Sequence, residues 1–103
     1  MTPRALSFLG SVALLLLVGP AVAGDVEHGR RVAQQTCAAC HIVGRGTRGM
    51  VADSPPFEII GIKYGFSEDR LISALVAPHA KMNFSLRGRE AADVAAYIAT
   101  LAR

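Results

Sequence analysis

Apolar residues change their spacing several times along this chain, and each change marks a different kind of segment. Over residues 5–18 they run almost unbroken. From Val26 they recur at helical intervals, with Val26, Gly29 or Arg30, Ala33 and Cys37 on one face, which predicts a first helix over 26–37. Asp25 stands before it as N-cap and Glu27 in its first turn, where an acid complements the unpaired amides. Gly29 inside that helix costs about 1 kcal/mol against Ala and so implies the close approach of another element. Residues 43–54 hold no sustained period. There Gly44, Gly46 and Gly49 interleave with Arg45 and Arg48, and the stretch reads as loop.

Pro55-Pro56-Phe57 sets an extended turn, after which residues 57–64 form a short helical piece closed by Gly61 or Gly65. Ser67 caps the next helix, Glu68 and Asp69 fill its first turn, and Leu71, Ile72, Leu75 and Val76 form its apolar face until Pro78 ends it. A last helix over 89–101 stacks Ala91, Val94, Tyr97, Ile98 and Leu101 on one stripe, expected to pack on the first helix near Gly29. Three to four short helices and no strand pattern make an all-α domain.

The unbroken run at the start belongs to a different object. Arg4 provides a short basic region, about 14 apolar residues follow, and Ala21-Val22-Ala23 fits a small-residue cleavage pattern, so residues 1–23 read as a secretory signal removed before Gly24. The run falls short of the roughly 20 residues that span a bilayer. Residues 24–103 then form one domain, not embedded in a membrane. Without Arg4 the domain carries ten basic and eight acidic residues, a small excess that excludes a concentrated nucleic-acid-binding face. At this size an apolar core alone gives marginal stability, and a disulfide between Cys37 and Cys40 would close too short a loop to help.

Cys37-Ala38-Ala39-Cys40-His41 supplies the missing staple. Two thiols at i, i+3 followed at once by an imidazole are the attachment signature of a c-type haem: each thiol adds across a vinyl group while His41 faces the iron. A redox disulfide would need a βαβ setting that is absent. Zinc would need two further ligands from His28, His41 and His79, whose spacings fit no zinc finger. One covalently attached haem per chain follows, and the haem-free polypeptide is expected to be largely unfolded. An iron-bound imidazole gives its second N–H to an acceptor, for which Pro55 is the candidate and Pro56 the runner-up. Arg45 or Arg48 could pair with a haem propionate.

For the second axial position only Met50 and Met82 remain once Met1 leaves with the leader. Met50 lies too soon after His41, whereas the chain length before Met82 lets it pass around the macrocycle edge. His79 is the rival, because imidazole also binds haem iron and would lower the potential. With both positions filled no site is left for a substrate, which points to a one-electron carrier and not an enzyme. Lys63, Lys81, Arg87 and Arg89 could place positive charge near the exposed haem edge, where an acidic redox partner would dock.

The mature chain resembles the small bacterial class I (mono-haem) cytochromes c over nearly its whole length. The residues that carry the likeness are Cys37-Ala38-Ala39-Cys40-His41, Pro55-Pro56-Phe57, Met82-Asn83-Phe84, and Leu86 leading into Asp93-Val94-Ala95-Ala96-Tyr97-Ile98. Asn83 and Arg87 stand where that family often has Pro and Ser or Thr. The resemblance implies a cytochrome c-like fold, Met82 as the second axial ligand, and a periplasmic carrier between a dehydrogenase donor and an oxidase or reductase acceptor. Two alternatives stay open: a dedicated haem subunit of a periplasmic dehydrogenase, and a small-ligand-binding haem protein with an open or bis-His iron.

Overall fold

The computed structural model describes residues 24–50 and 53–103, with Pro3 and Gly10 singly; the predicted leader otherwise lies outside the described residues. Four α-helices, α1 (Val26–Val32), α2 (Phe57–Lys63), α3 (Glu68–Val76) and α4 (Gly88–Ala99), make the described part all-α. Its core is built on α4, whose Ala91, Val94, Ala95 and Ile98 are fully buried beneath Val32 and Ala33 of the first segment and Leu71 of α3. The stripe expected over 89–101 is that core face.

The first helix differs from its expected form. Asp25 caps it as predicted, accepting the His28 amide at 3.0 Å, but the α-helix stops at Val32. Ala33–Cys37 form a π-helical turn in which the Ala38 amide donates to the Ala33 carbonyl, five residues back, at 3.0 Å. A continuous α-helix over 26–37 is therefore corrected to a helix plus a widened turn, a feature that a 3.6-residue period does not register and that often sits at functional sites.

The short piece after the prolines closes at Gly65 and not at Gly61, which lies buried inside α2. Gly65 and Phe66 both adopt positive φ, 62° and 53°, and the Phe66 amide reaches back to the Gly61 carbonyl at 2.7 Å. Its ring lies on Gly61, where a side chain would collide with it. This is a left-handed helix stop with a hydrophobic clasp. Ser67 begins α3, accepting the Arg70 amide at 3.4 Å, and α3 ends before Pro78.

Gly29 does what its position implied. A methyl group there would run into the Asp93 carbonyl on α4, and Gly24 is pressed in the same way against the Ala92 carbonyl. Because the obstacle is backbone, neither helix can yield by turning a side chain. Gly29→Ala is expected to lower stability by about 2 kcal/mol, within the range for overpacking. Denaturant unfolding of the holoprotein measures it, and an unchanged midpoint would mean that α1 and α4 separate at little cost.

Candidate haem-binding site

Of the residues singled out by sequence, Cys37, Cys40, His41, Pro55, His79 and Met82 meet on one cavity of about 420 Å³, within the range of cofactor sites. Phe57, Ile60, Leu71, Leu75 and Ile98 give it apolar walls, while Cys37, Cys40 and His41 stand together on one side. Their proximity is built locally. The π-turn ends at Cys37, whose carbonyl accepts the amides of Cys40 at 3.1 Å and His41 at 2.9 Å, so the five-residue motif folds as one compact turn. Both thiols are free, Cys37 half-buried and Cys40 exposed. Burial pushes the Cys37 thiol up. Among the described residues no cluster of three or more His, Cys, Asp or Glu gathers to hold a bare metal ion.

His41 is fixed more firmly than its neighbours. Its Nδ1 lies 2.7 Å from the Pro55 carbonyl oxygen, and since a carbonyl can only accept, Nδ1 carries the proton. In the neutral ring Nε2 is then a lone-pair donor, the form a metal requires. Pro55 supplies this contact while Pro56, buried, precedes α2 as its N-cap. Two further bonds hold the same stretch: the Phe57 amide donates to Ile42 at 2.9 Å, and the Tyr97 hydroxyl to Val43 at 2.6 Å. The Phe57 ring stands 5.9 Å from that of His41. Tyr97 was expected only as core; its hydroxyl ties α4 to the segment that carries the histidine. Its buried phenol, with its titration pushed up by desolvation, suits that donor role.

Met82 and His79 both line the cavity from the loop between α3 and α4, whereas Met50, 56% exposed, is absent from its lining. The loop is folded on itself, with the His79 amide bonded to Phe84 at 3.1 Å and the Met82 amide to His79 at 3.3 Å. Lys81 spans to Asp53 at 3.4 Å, and Lys63 shares the lining. The other two proposed rim charges differ. Arg89 lies 4.0 Å from Asp93 on the α1-facing side of α4, and Arg87 borders a separate shallow pocket with Met82 and Phe84.

Arg45, read from sequence as a propionate partner, is used elsewhere. Its guanidinium donates to the Leu101 and Thr100 carbonyls at 3.0 Å each and lies 3.7 Å from Glu58, so it finishes the C-terminal end of α4. The Gly46 amide, then Arg103 and Arg45, hold the Glu58 carboxyl below the usual range. Arg48 is likewise not among the cavity residues.

The donor set fits a c-type haem: two thiols at i, i+3, an oriented imidazole beside them, and an apolar chamber in which a thioether and a second imidazole stand on a facing loop. No protein-family model matches the chain, and no solved structure matches it. Among curated proteins it is similar to cytochrome c-552 of Bradyrhizobium diazoefficiens, with 39% identity over 98 residues that cover 90% of this chain and 94% of that protein. Likeness of that extent over nearly both full lengths, joined to the all-α fold and the thiol–imidazole turn on its apolar cavity, places the chain in the family of small class I cytochromes c.

Proposed function

We propose that this chain is a periplasmic one-electron carrier, with one haem c joined to Cys37 and Cys40 and ligated by His41 and Met82. A haem c electron carrier is what its family membership supports. The observation that carries the finer reading is the His41–Pro55 contact beside the two thiols, which prepares Nε2 as a donor facing the apolar cavity. When bound, the haem supplies a one-electron ferric/ferrous couple.

The protein contributes position and environment. Pro55 holds the ring of His41 and raises its basicity. Met82 offers a thioether, the donor that gives a higher potential than a second imidazole. Phe57, Leu71 and Ile98 exclude water from the interior. Lys63 and Lys81 place positive charge at the mouth, where a redox partner makes a small and brief contact. With His41 and Met82 both holding a bound haem iron, no position would be left for a substrate, and the chain would relay electrons without turning one over. Residues 1–23 act as a cleaved leader and residues 24–103 as the working domain. No helix among the described residues is long and apolar enough to cross a membrane.

Exported protein from a host that matures c-type cytochromes provides the test. Its intact mass is expected to equal residues 24–103 plus one haem, with a c-type pyridine haemochrome spectrum and, in the ferric form, the weak far-red band of thioether ligation. Colourless protein at the bare polypeptide mass would overturn the proposal, and a haem protein lacking the far-red band would remove Met82 from it.

A further inference from the structure

We propose that His79 is a second donor for the same axial position, so that displacement of Met82 gives a bis-histidine haem and not an open iron. The inference rests on the haem reading above and concerns what the opposing loop does when its thioether is withdrawn.

Three observations carry it. Met82 and His79 border one cavity from one turn, closed by the Met82 amide on the His79 carbonyl at 3.3 Å. The His79 ring stands 5.9 Å from the His41 ring, edge-on at 72°. Two metal–nitrogen bonds of about 2 Å plus half of each ring span roughly 6 Å, so the two imidazoles are already about as far apart as a shared metal ion would hold them. The third observation is chain length: only two residues separate His79 from Met82, so one donor can replace the other by a shift within this turn while the loop's end stays joined to α3, where the Leu86 amide donates to Leu75 at 3.2 Å.

The same geometry ranks the two donors. The Lys81 amide donates to His79 Nδ1 at 3.4 Å, a long bond that leaves the proton of the neutral ring on Nε2. To ligate through Nε2 the ring must carry that proton on Nδ1 and give up the Lys81 amide. Met82 bears no such cost and holds the position first. Two donors on one loop therefore give the protein two closed states, the second at lower potential, and withdraw the iron from small gaseous ligands in both.

Ferric and ferrous Met82→Ala and Met82→Ala/His79→Ala holoproteins, studied by electron paramagnetic resonance, redox titration and CO addition, decide the matter. The single variant is expected to lose the far-red band, stay low-spin, titrate at lower potential than the parent and resist CO. The double variant is expected to turn high-spin, bind CO rapidly and return to low-spin on addition of imidazole, which also shows that it is folded. A high-spin Met82→Ala protein, or a double variant that remains low-spin, would remove His79 from the role while leaving Met82 as the resident ligand. A Met82→Ala protein that keeps the far-red band would instead overturn the ligation reading on which the inference stands.

Discussion

Stripped of haem, or prevented from retaining it by replacing both Cys37 and Cys40 with Ser, the chain is expected to lose its fixed tertiary structure. The reason is the size of the space at the centre of the fold. A cavity of about 420 Å³ lined by Phe57, Leu71 and Ile98 is exchanged for a filled core when the cofactor binds. Without the cofactor, the apolar side chains that border the space, among them Ile60, Leu75, Met82 and Phe84, lose a partner whose cover is worth roughly 1.5–3 kcal/mol for each large side chain fully buried. A domain of this length has about 4–12 kcal/mol of total stability to draw on. Collapse of the exposed 77–84 loop into the space would recover part of the deficit, but only by giving up the arrangement that faces His79 and Met82 toward His41. Near-UV dichroism of the haem-free protein is the direct measurement. A native-like spectrum would mean that the helices sustain the cavity unaided and that the staple inferred from the chain's small size is unnecessary.

What the chain announced in advance is mostly local. Asp25 and Ser67 begin helices because a short acceptor side chain precedes an apolar period, and each accepts the amide three residues on. The thiol–imidazole turn and the acceptor carbonyl of Pro55 were legible because their chemistry is carried by residue type and short spacing. Contacts between distant segments were not. Arg45 sits in a glycine-rich loop and reads from sequence as a candidate propionate partner, yet it donates to the Thr100 and Leu101 carbonyls just past α4, some 55 residues away. Phe66 adopts positive φ with its ring laid on the bare face of Gly61, a pairing that neither residue type announces. The π-turn before Cys37 inserts its offset where the period has too few residues left to reveal a slip.

Asp93 is the clearest of these unannounced residues, although the signal for it was present. Residues 91–96 are Ala, Ala, Asp, Val, Ala and Ala, and a helix that is small and apolar on nearly every side is a buried one. A single acid within it needs a partner. That partner comes from the other end of the chain: the Asp25 amide donates to Oδ1 at 2.7 Å, and His28 Nδ1 lies 2.6 Å from Oδ2. The carboxylate thus stands directly over the Gly29 crossing. Since α1 runs on through the π-turn to Cys37 while α4 carries Ile98 and Tyr97, this crossing fixes two walls of the haem cavity relative to each other.

Replacing Asp93 with Ala is therefore expected to cost about 3 kcal/mol at neutral pH, since hydrogen bonds to a charged group contribute roughly 1.5–3 kcal/mol each and the Asp25 amide would be left partly buried without an acceptor. Its pH dependence separates charge from packing. Burial, which leaves Asp93 only 1% exposed, opposes its ionisation, but the Asp25 amide, the His28 ring and Arg89 outweigh that and hold its carboxyl below the ordinary range. A depressed folded-state value means that the ionised clamp contributes in full above the unfolded value of about 4 and is lost as pH falls through the lower folded value. Denaturant unfolding of holoprotein across the acid range should consequently find the parent and Asp93→Ala far apart at pH 7 and drawing together as the solution is acidified. His28→Ala, which leaves the Asp25 amide and Arg89 facing the carboxylate, should lose less than Asp93→Ala. A gap between parent and Asp93→Ala that stays constant down to the acid limit would show that position 93 matters for its volume alone, and that the charge at the helix crossing does not hold the two ends of the chain together.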